Sequence, residues 1–242
     1  LWVIADGDPA RAGALAKQLG SEFWAMRHDV QPKWYDLDQG LDAALAVGLG
    51  PVVLADVADN PGGGAPGDST FILRRVVERC ISDVALGCLW DLGAIQICAD
   101  AGVGATLDLR VGGKCGAASG DPIDLRVTVR AVHDTHSQSL GGMSIPLGRS
   151  VWVEGPNGLD IVLVSVRTQV IGVDAFTGIG VAMDAKRLVI VKSTQHFHAE
   201  FAPRAKAILH VAAPGALTPD FAKLPYRRRS LEYWPRVENP FV

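Results

Sequence analysis

Residues 51–70 read Pro51-Val52-Val53-Leu54-Ala55-Asp56-Val57-Ala58-Asp59-Asn60-Pro61-Gly62-Gly63-Gly64-Ala65-Pro66-Gly67-Asp68-Ser69-Thr70. Val52 to Val57 is a near-continuous apolar run, the pattern of a strand covered on both faces. A Gly-rich loop follows it. Ser69 to Cys80 then places Ile72, Leu73, Val76 and Val77 at helical spacing. A covered strand, a glycine loop and a helix in that order predict an α/β sheet with its ligand edge at the loop.

The elements on either side extend this pattern. Val84–Trp90 reads as a strand, Ala94–Ala101 as a helix and Ala105–Val111 as a strand, an order that suggests right-handed crossovers and a parallel core. Ile123–Val132, Ser150–Glu154 and Asp160–Thr168 alternate apolar and polar residues, as antiparallel strands with one wet face do. Leu188–Val191 is a further buried strand, Glu200–Lys206 reads as helical and Ile208–Ala212 as a last strand. The chain from Pro214 is Pro-rich and irregular. The fold class expected is α/β: a mixed sheet with a parallel core, flanked by helices and extended by antiparallel strands.

Ahead of residue 51, Leu1-Trp2-Val3-Ile4 reads as part of a short strand entered in mid-fold. Asp8 and Pro9 start a helix that Gly20 ends, Glu22–His28 forms a second helix, and Leu37–Val47 is an amphipathic third. Gly48–Pro51 is a turn and the expected domain boundary. Residues 1–48 are thus assigned to the end of a preceding domain and 49–242 to a C-terminal one, within a longer chain.

Composition excludes several classes. With 23 Lys and Arg against 26 Asp and Glu, 48% hydrophobic and 20% charged residues, the 242-residue chain is neither a disordered charged tail nor a nucleic-acid binder with a broad basic face. No apolar run is long enough to span a bilayer, and no secretory signal opens the sequence. Cys80, Cys88, Cys98 and Cys115 form no C-x-x-C pair and read as buried free thiols of a cytoplasmic protein.

The glycine loop nearly fits a phosphate-binding spacing, with Gly62, four residues, Gly67, one residue and Ser69. Asp68 stands where the phosphate-binding lysine would be, and a carboxylate there repels phosphate. Two readings remain. The glycines supply tight turns while Asp68 or Ser69 caps the helix, or free amides at the helix start, with Asp59 and Asn60, bind a polar or anionic substrate group. Lys192-Ser193-x-x-His196-x-His198 follows the second buried strand. Ser193 and His196 could pair as nucleophile and base, but no G-x-S-x-G elbow surrounds the serine. His196 and His198 could share a metal only if that segment is extended. His133 and His136 read as solvated loop residues, and Gly112-Gly113-Lys114 as a turn that could offer a cation.

These segments resemble the C-terminal region of the MlrC family, the microcystinase C-like M81 metallopeptidases. The resemblance runs through Leu54–Thr70, through Ala101-Gly102-Val103-Gly104-Ala105 with Gly112-Gly113-Lys114, and through Val191–Phe197 with Phe201-Ala202-Pro203, Pro214-Gly215 and Leu224–Arg227. It implies a zinc-dependent hydrolase of small or linear peptides or related amides. Its zinc is bound by an Asp-x-His pair and a further His of an N-terminal domain that nothing here matches. This chain would close over that domain and complete the substrate pocket, with no nucleic-acid or membrane partner. Asp59, Ser193 and His196 are then the candidate catalytic residues. Asn60, Gly63, Gly64, Asp68 and Lys192 are the candidate substrate-binding residues, and none is a metal ligand. Where the family carries Arg two residues after the His, this chain has His198, so the resemblance supplies no bidentate anion clamp there. Arg229–Pro235 also departs from the family's ending. A non-catalytic module holding a small ligand in the glycine loop, and a purely structural domain, are the competing readings.

Overall fold

The computed structural model describes residues 1–241, so Val242 of the expected domain lies outside the described residues. The chain divides into two compact units, one of residues 1–33 and one from Trp34 onward.

The first unit is essentially one helix, α1 (Pro9–Ala25), closed by a 3-10 turn at Met26–His28. Asp8 caps it by accepting the Arg11 amide at 2.9 Å, with Pro9 in the first turn. Two expectations are corrected here. Gly20 does not end the helix. One interior glycine costs only about 1 kcal/mol relative to alanine, too little to break a helix with good formers on both sides. Residues 1–5 form no strand, because no neighbouring strand pairs with them, and Trp2 and Ile4 are more than nine-tenths exposed.

The second unit starts with α2 (Leu37–Ala46), capped by the Asp36 carboxylate on the Gln39 amide. It packs on the sheet through Leu41 and Ala44, so the packing boundary precedes the Gly48–Pro51 turn. The sheet has eight strands: β1 (Val52–Asp56), β2 (Val84–Trp90), β3 (Thr106–Val111), β4 (Ile123–Leu140), β5 (Met143–Glu154), β6 (Asp160–Val164), β7 (Leu188–Val191) and β8 (Ala207–Val211). Their order is β3-β4-β5-β6-β2-β7-β1-β8. The five strands β6-β2-β7-β1-β8 are mutually parallel, and β3, β4 and β5 continue the sheet antiparallel. The expected mixed α/β sheet with a parallel core is therefore what forms.

Period-2 alternation divides the core. Val52, Leu54, Leu188 and Ile190 face α2, α3 (Phe71–Glu78) and α4 (Leu92–Ala101). Val53, Ala55, Val189 and Val191 face the layer with the short helices α5 (Asp174–Thr177) and α6 (His198–Phe201), where Phe176, Phe197 and Phe201 are buried. Both faces of β1 and β7 are dry, which is why their sequences read as unbroken apolar runs.

Three further expectations are corrected. β3 is not in the parallel core; it pairs antiparallel with β4 at the sheet edge. Its sequence already alternates, with Leu109 and Val111 buried between exposed Asp108 and Arg110. Residues 133–136 are not a loop, because β4 runs on to Leu140 and turns at Gly141-Gly142. His136 on that arm is buried, with its Nε2 3.2 Å from the Ala175 carbonyl. Finally, all four cysteines are free, but Cys80 and Cys115 are exposed.

Candidate functional site

Parallel strands release their following loops along one edge of the sheet, the usual ligand edge of α/β folds. β1 and β7 are neighbours, so Asp56–Thr70 and Lys192–His196 emerge side by side. They are tied together at two points. Lys192 Nζ donates to Asp59 Oδ2 at 2.8 Å, and Asn60 Nδ2 donates to Thr194 Oγ1 at 2.9 Å.

The glycine loop folds around its own anion. Asp59 is 1% exposed; its Oδ1 accepts the Gly67 amide at 2.8 Å and its Oδ2 the Ser69 amide at 2.7 Å. The amides that the sequence offers to an external anion are thus taken by a carboxylate of the same loop, just ahead of α3. Lys192, equally buried, neutralises that carboxylate and also bonds Asp56 Oδ2 at 3.3 Å and the Ser69 carbonyl at 2.9 Å. In this geometry neither Asp59 nor Lys192 has an atom facing outward. Their bonds hold the loop in shape.

The charges in this cluster are unequal. Burial pushes the Asp56 carboxyl up, Lys192 pulls it only partly back, and Asp59 raises it again. Its Oδ1 has no hydrogen-bond partner among the described residues. Burial alone would lower the Lys192 ammonium, but the paired carboxylates outweigh it and hold its pKa above the ordinary 10.5. The sign for stability follows from linkage. A lysine raised in the folded state stabilises fully below 10.5, and that contribution disappears as pH rises through the higher folded value. On the acid side, burial lowers His136 and His210 below the ordinary 6.5, so both fold as neutral rings. The His136 and His210 contributions to the urea midpoint are therefore expected to fall below pH 6.5 and the Lys192 contribution above pH 10.5, while the raised Asp56 acts in the opposite sense on the acid side. His136→Gln should flatten the acid limb; an unchanged limb would contradict the neutral buried ring.

Asp68 is also internal. Its Oδ2 accepts the amides of Lys114 and Cys115 at 2.7 and 2.9 Å, and its Oδ1 bonds the Ser119 hydroxyl. Gly112 lies at φ +61, where an added Cβ would stand 2.7 Å from the Asp68 carbonyl, so only glycine fits. The Lys114 ammonium pairs with Asp91 and with the Arg110 carbonyl while its side chain stays exposed. Asp68 thus fastens the glycine loop to the turn after β3.

What remains open to solvent is the loop tip and its neighbour. Gly62, Gly63 and Gly64 are exposed, and Gly64 has open space where a side chain would be. Asn60 holds this tip, since its Oδ1 accepts the Gly62 amide at 2.9 Å. His196 is exposed, whereas Ser193 is fully buried. Ser193 and His196 do not bond each other; Gln169 stands between them, accepting from Ser193 Oγ at 3.3 Å and reaching His196 Nδ1 at 2.9 Å. Residues 196–198 turn into α6 and are not extended, so the geometry needed for a shared His196–His198 metal site is not met. Among the described residues no group of three His, Cys, Asp or Glu is gathered as a metal site.

Gln169, Gln138 and Arg167 were not expected. They follow β6 or lie on the distal arm of β4, and no spacing distinguishes them. Buried Gln138 accepts the amides of Ile171 and Gly172 at 2.8 and 3.2 Å and donates to the Gln169 carbonyl at 2.8 Å, fixing the segment that carries Gln169. Arg167 donates to the Ala65 carbonyl at 3.2 Å, on the glycine loop.

An α/β domain with two joined loops at the carboxyl edge of a parallel sheet is a ligand-binding class of fold. Residues 54–228 match the family described as MlrC C-terminus, and the chain belongs to it. It is 33% identical to microcystinase C of Sphingomonas sp. over 235 residues, covering 96% of this chain and 45% of the relative. The chain thus spans less than half the length of that curated relative. A crystal structure from Mesorhizobium sp. BNC1, described as a candidate metallopeptidase, shares the fold with a TM-score of 0.76 at 21% identity, over 91% of this chain and 44% of that one. No helix among the described residues is long and apolar enough to cross a membrane.

Proposed function

We propose that this chain is the part of a zinc-dependent peptidase or amidohydrolase that completes the substrate pocket, acting on small or linear peptides. The observation that carries the proposal is the junction of the two strand-end loops, which leaves Gly62–Gly64 and His196 as the exposed polar face of a rigid, internally neutralised scaffold. The amide N–H groups of Gly62, Gly63 and Gly64 are bonded within the loop, so what the tip offers a peptide backbone is a surface free of side chains, beside an exposed imidazole. The likeness to microcystinase C supports the peptide as the substrate class.

The metal does not fit the residues described here, because no three-ligand cluster exists among them. We assign it to an N-terminal domain of the same protein and route no step through it. In this reading His196 donates a hydrogen bond to the substrate carbonyl oxygen as negative charge develops on it, and the glycine tip lets the peptide backbone approach closely. Asn60, Asp59, Asp68, Lys192 and Ser193 hold these groups in place.

The test is metal analysis and peptide hydrolysis by the full-length protein. One zinc per chain and turnover of linear peptides are expected. A full-length protein that binds no divalent metal and leaves peptides intact would instead favour a ligand-binding module.

A further inference from the structure

His196 is an exposed side chain, yet one of its ring nitrogens already has a partner. The Gln169 side chain amide has one acceptor and two donors. Its oxygen takes the Ser193 hydroxyl at 3.3 Å, and its nitrogen lies 2.9 Å from His196 Nδ1. Ser193 is fully buried and fixed on the backbone directly after Lys192, the ion-paired centre of the scaffold. Gln169 is held from two further sides. Gln138 bonds its carbonyl at 2.8 Å, and an added Cβ on Gly62 would come within 2.8 Å of its amide. The glycine loop, the segment after β6 and the segment after β7 therefore all meet at this one amide.

We propose that Gln169 is a positioning residue that holds neutral His196 in the Nε2–H form, with Nδ1 as an acceptor and the Nε2–H directed away from Gln169. With Nδ1 occupied, the ring presents a donor to whatever binds at the loop tip. It is also barred from acting as a base toward Ser193, whose hydroxyl is directed at the same amide. His196 thereby becomes a hydrogen-bond donor to an oxygen that gains negative charge, and a serine-nucleophile mechanism at this pair is excluded. The identity of that oxygen as a peptide carbonyl rests on the function proposed above; the tautomer does not.

The experiment is histidine side-chain nitrogen NMR on the 15N-labelled protein above the His196 titration, with the signal assigned by its loss in His196→Gln. Wild type is expected to show a single neutral Nε2–H form with a hydrogen-bonded Nδ1. Gln169→Leu should lose the hydrogen-bond signature at Nδ1, and Gln169→Glu should convert the neutral ring to the Nδ1–H form, because a carboxylate accepts from Nδ1–H. Gly62→Ala, which crowds the amide without touching His196, should reproduce the Gln169→Leu signal. A wild-type ring that is Nδ1–H, or a spectrum the same in wild type and Gln169→Leu, would overturn the proposal. If the tautomer behaves as stated while kcat of the full-length enzyme is equal in wild type and Gln169→Leu, the positioning role stands and the placement of substrate at His196 fails.

Discussion

Lys192→Met is expected to lower the unfolding free energy by about 3–5 kcal/mol, the range for removing one partner of a buried ion group. The methionine fills the same volume, so the loss is electrostatic and not a cavity effect. It leaves the Asp56 and Asp59 carboxylates side by side, each 1% exposed, and strips the Ser69 carbonyl of its donor. One lysine serves three acceptors at this point, and domains are stable by only about 5–15 kcal/mol in total, so the effect is a large share of the whole. Pairing Lys192→Met with Asp56→Asn removes the carboxylate that Lys192 alone satisfies and should recover part of the loss, because Asp59 keeps the Gly67 and Ser69 amides. Urea unfolding of the four proteins forms a double-mutant cycle. A Lys192→Met midpoint equal to wild type would show that the buried cluster does not hold the loop.

His196→Ala is expected to leave the urea midpoint unchanged and to lower kcat of the full-length enzyme by about 100- to 1000-fold, as loss of one donor to a developing oxyanion does. The contrast with Lys192 follows from position. His196 is exposed and makes one side-chain bond, to Gln169, whereas Lys192 is buried with three. Stability and turnover should therefore separate between two residues of one segment, four positions apart. Full activity in His196→Ala would remove this residue from the substrate face.

Much of the sheet was readable from residue pattern because β1, β2 and β7 are covered on both faces and carry apolar runs that end at the observed strand ends. The distal arm of β4 was not. Its inward positions are His136 and Gln138, polar groups satisfied by the carbonyls and amides of residues 169–175, so the alternation that marks a half-wet strand breaks down there. The two strand-end loops that the sequence singles out do converge, because β1 and β7 are neighbours. The division of labour within them was not legible. Sequence marks Asp59, Asp68 and Lys192 as polar residues in a ligand loop, but only the folded chain shows that the loop closes on them and spends its amides internally. Gln169 and Gln138 are single glutamines in unremarkable surroundings, and they matter only through which backbone groups they face.

The most direct test of the account is a crystal structure of the full-length protein with a non-hydrolysable peptide analogue. The distance from His196 Nε2 to the analogue's carbonyl-mimicking oxygen should be about 2.7–3.2 Å, with the peptide backbone against Gly62–Gly64. An analogue bound elsewhere on the full-length protein, with no atom in contact with His196 or the glycine tip, would contradict it.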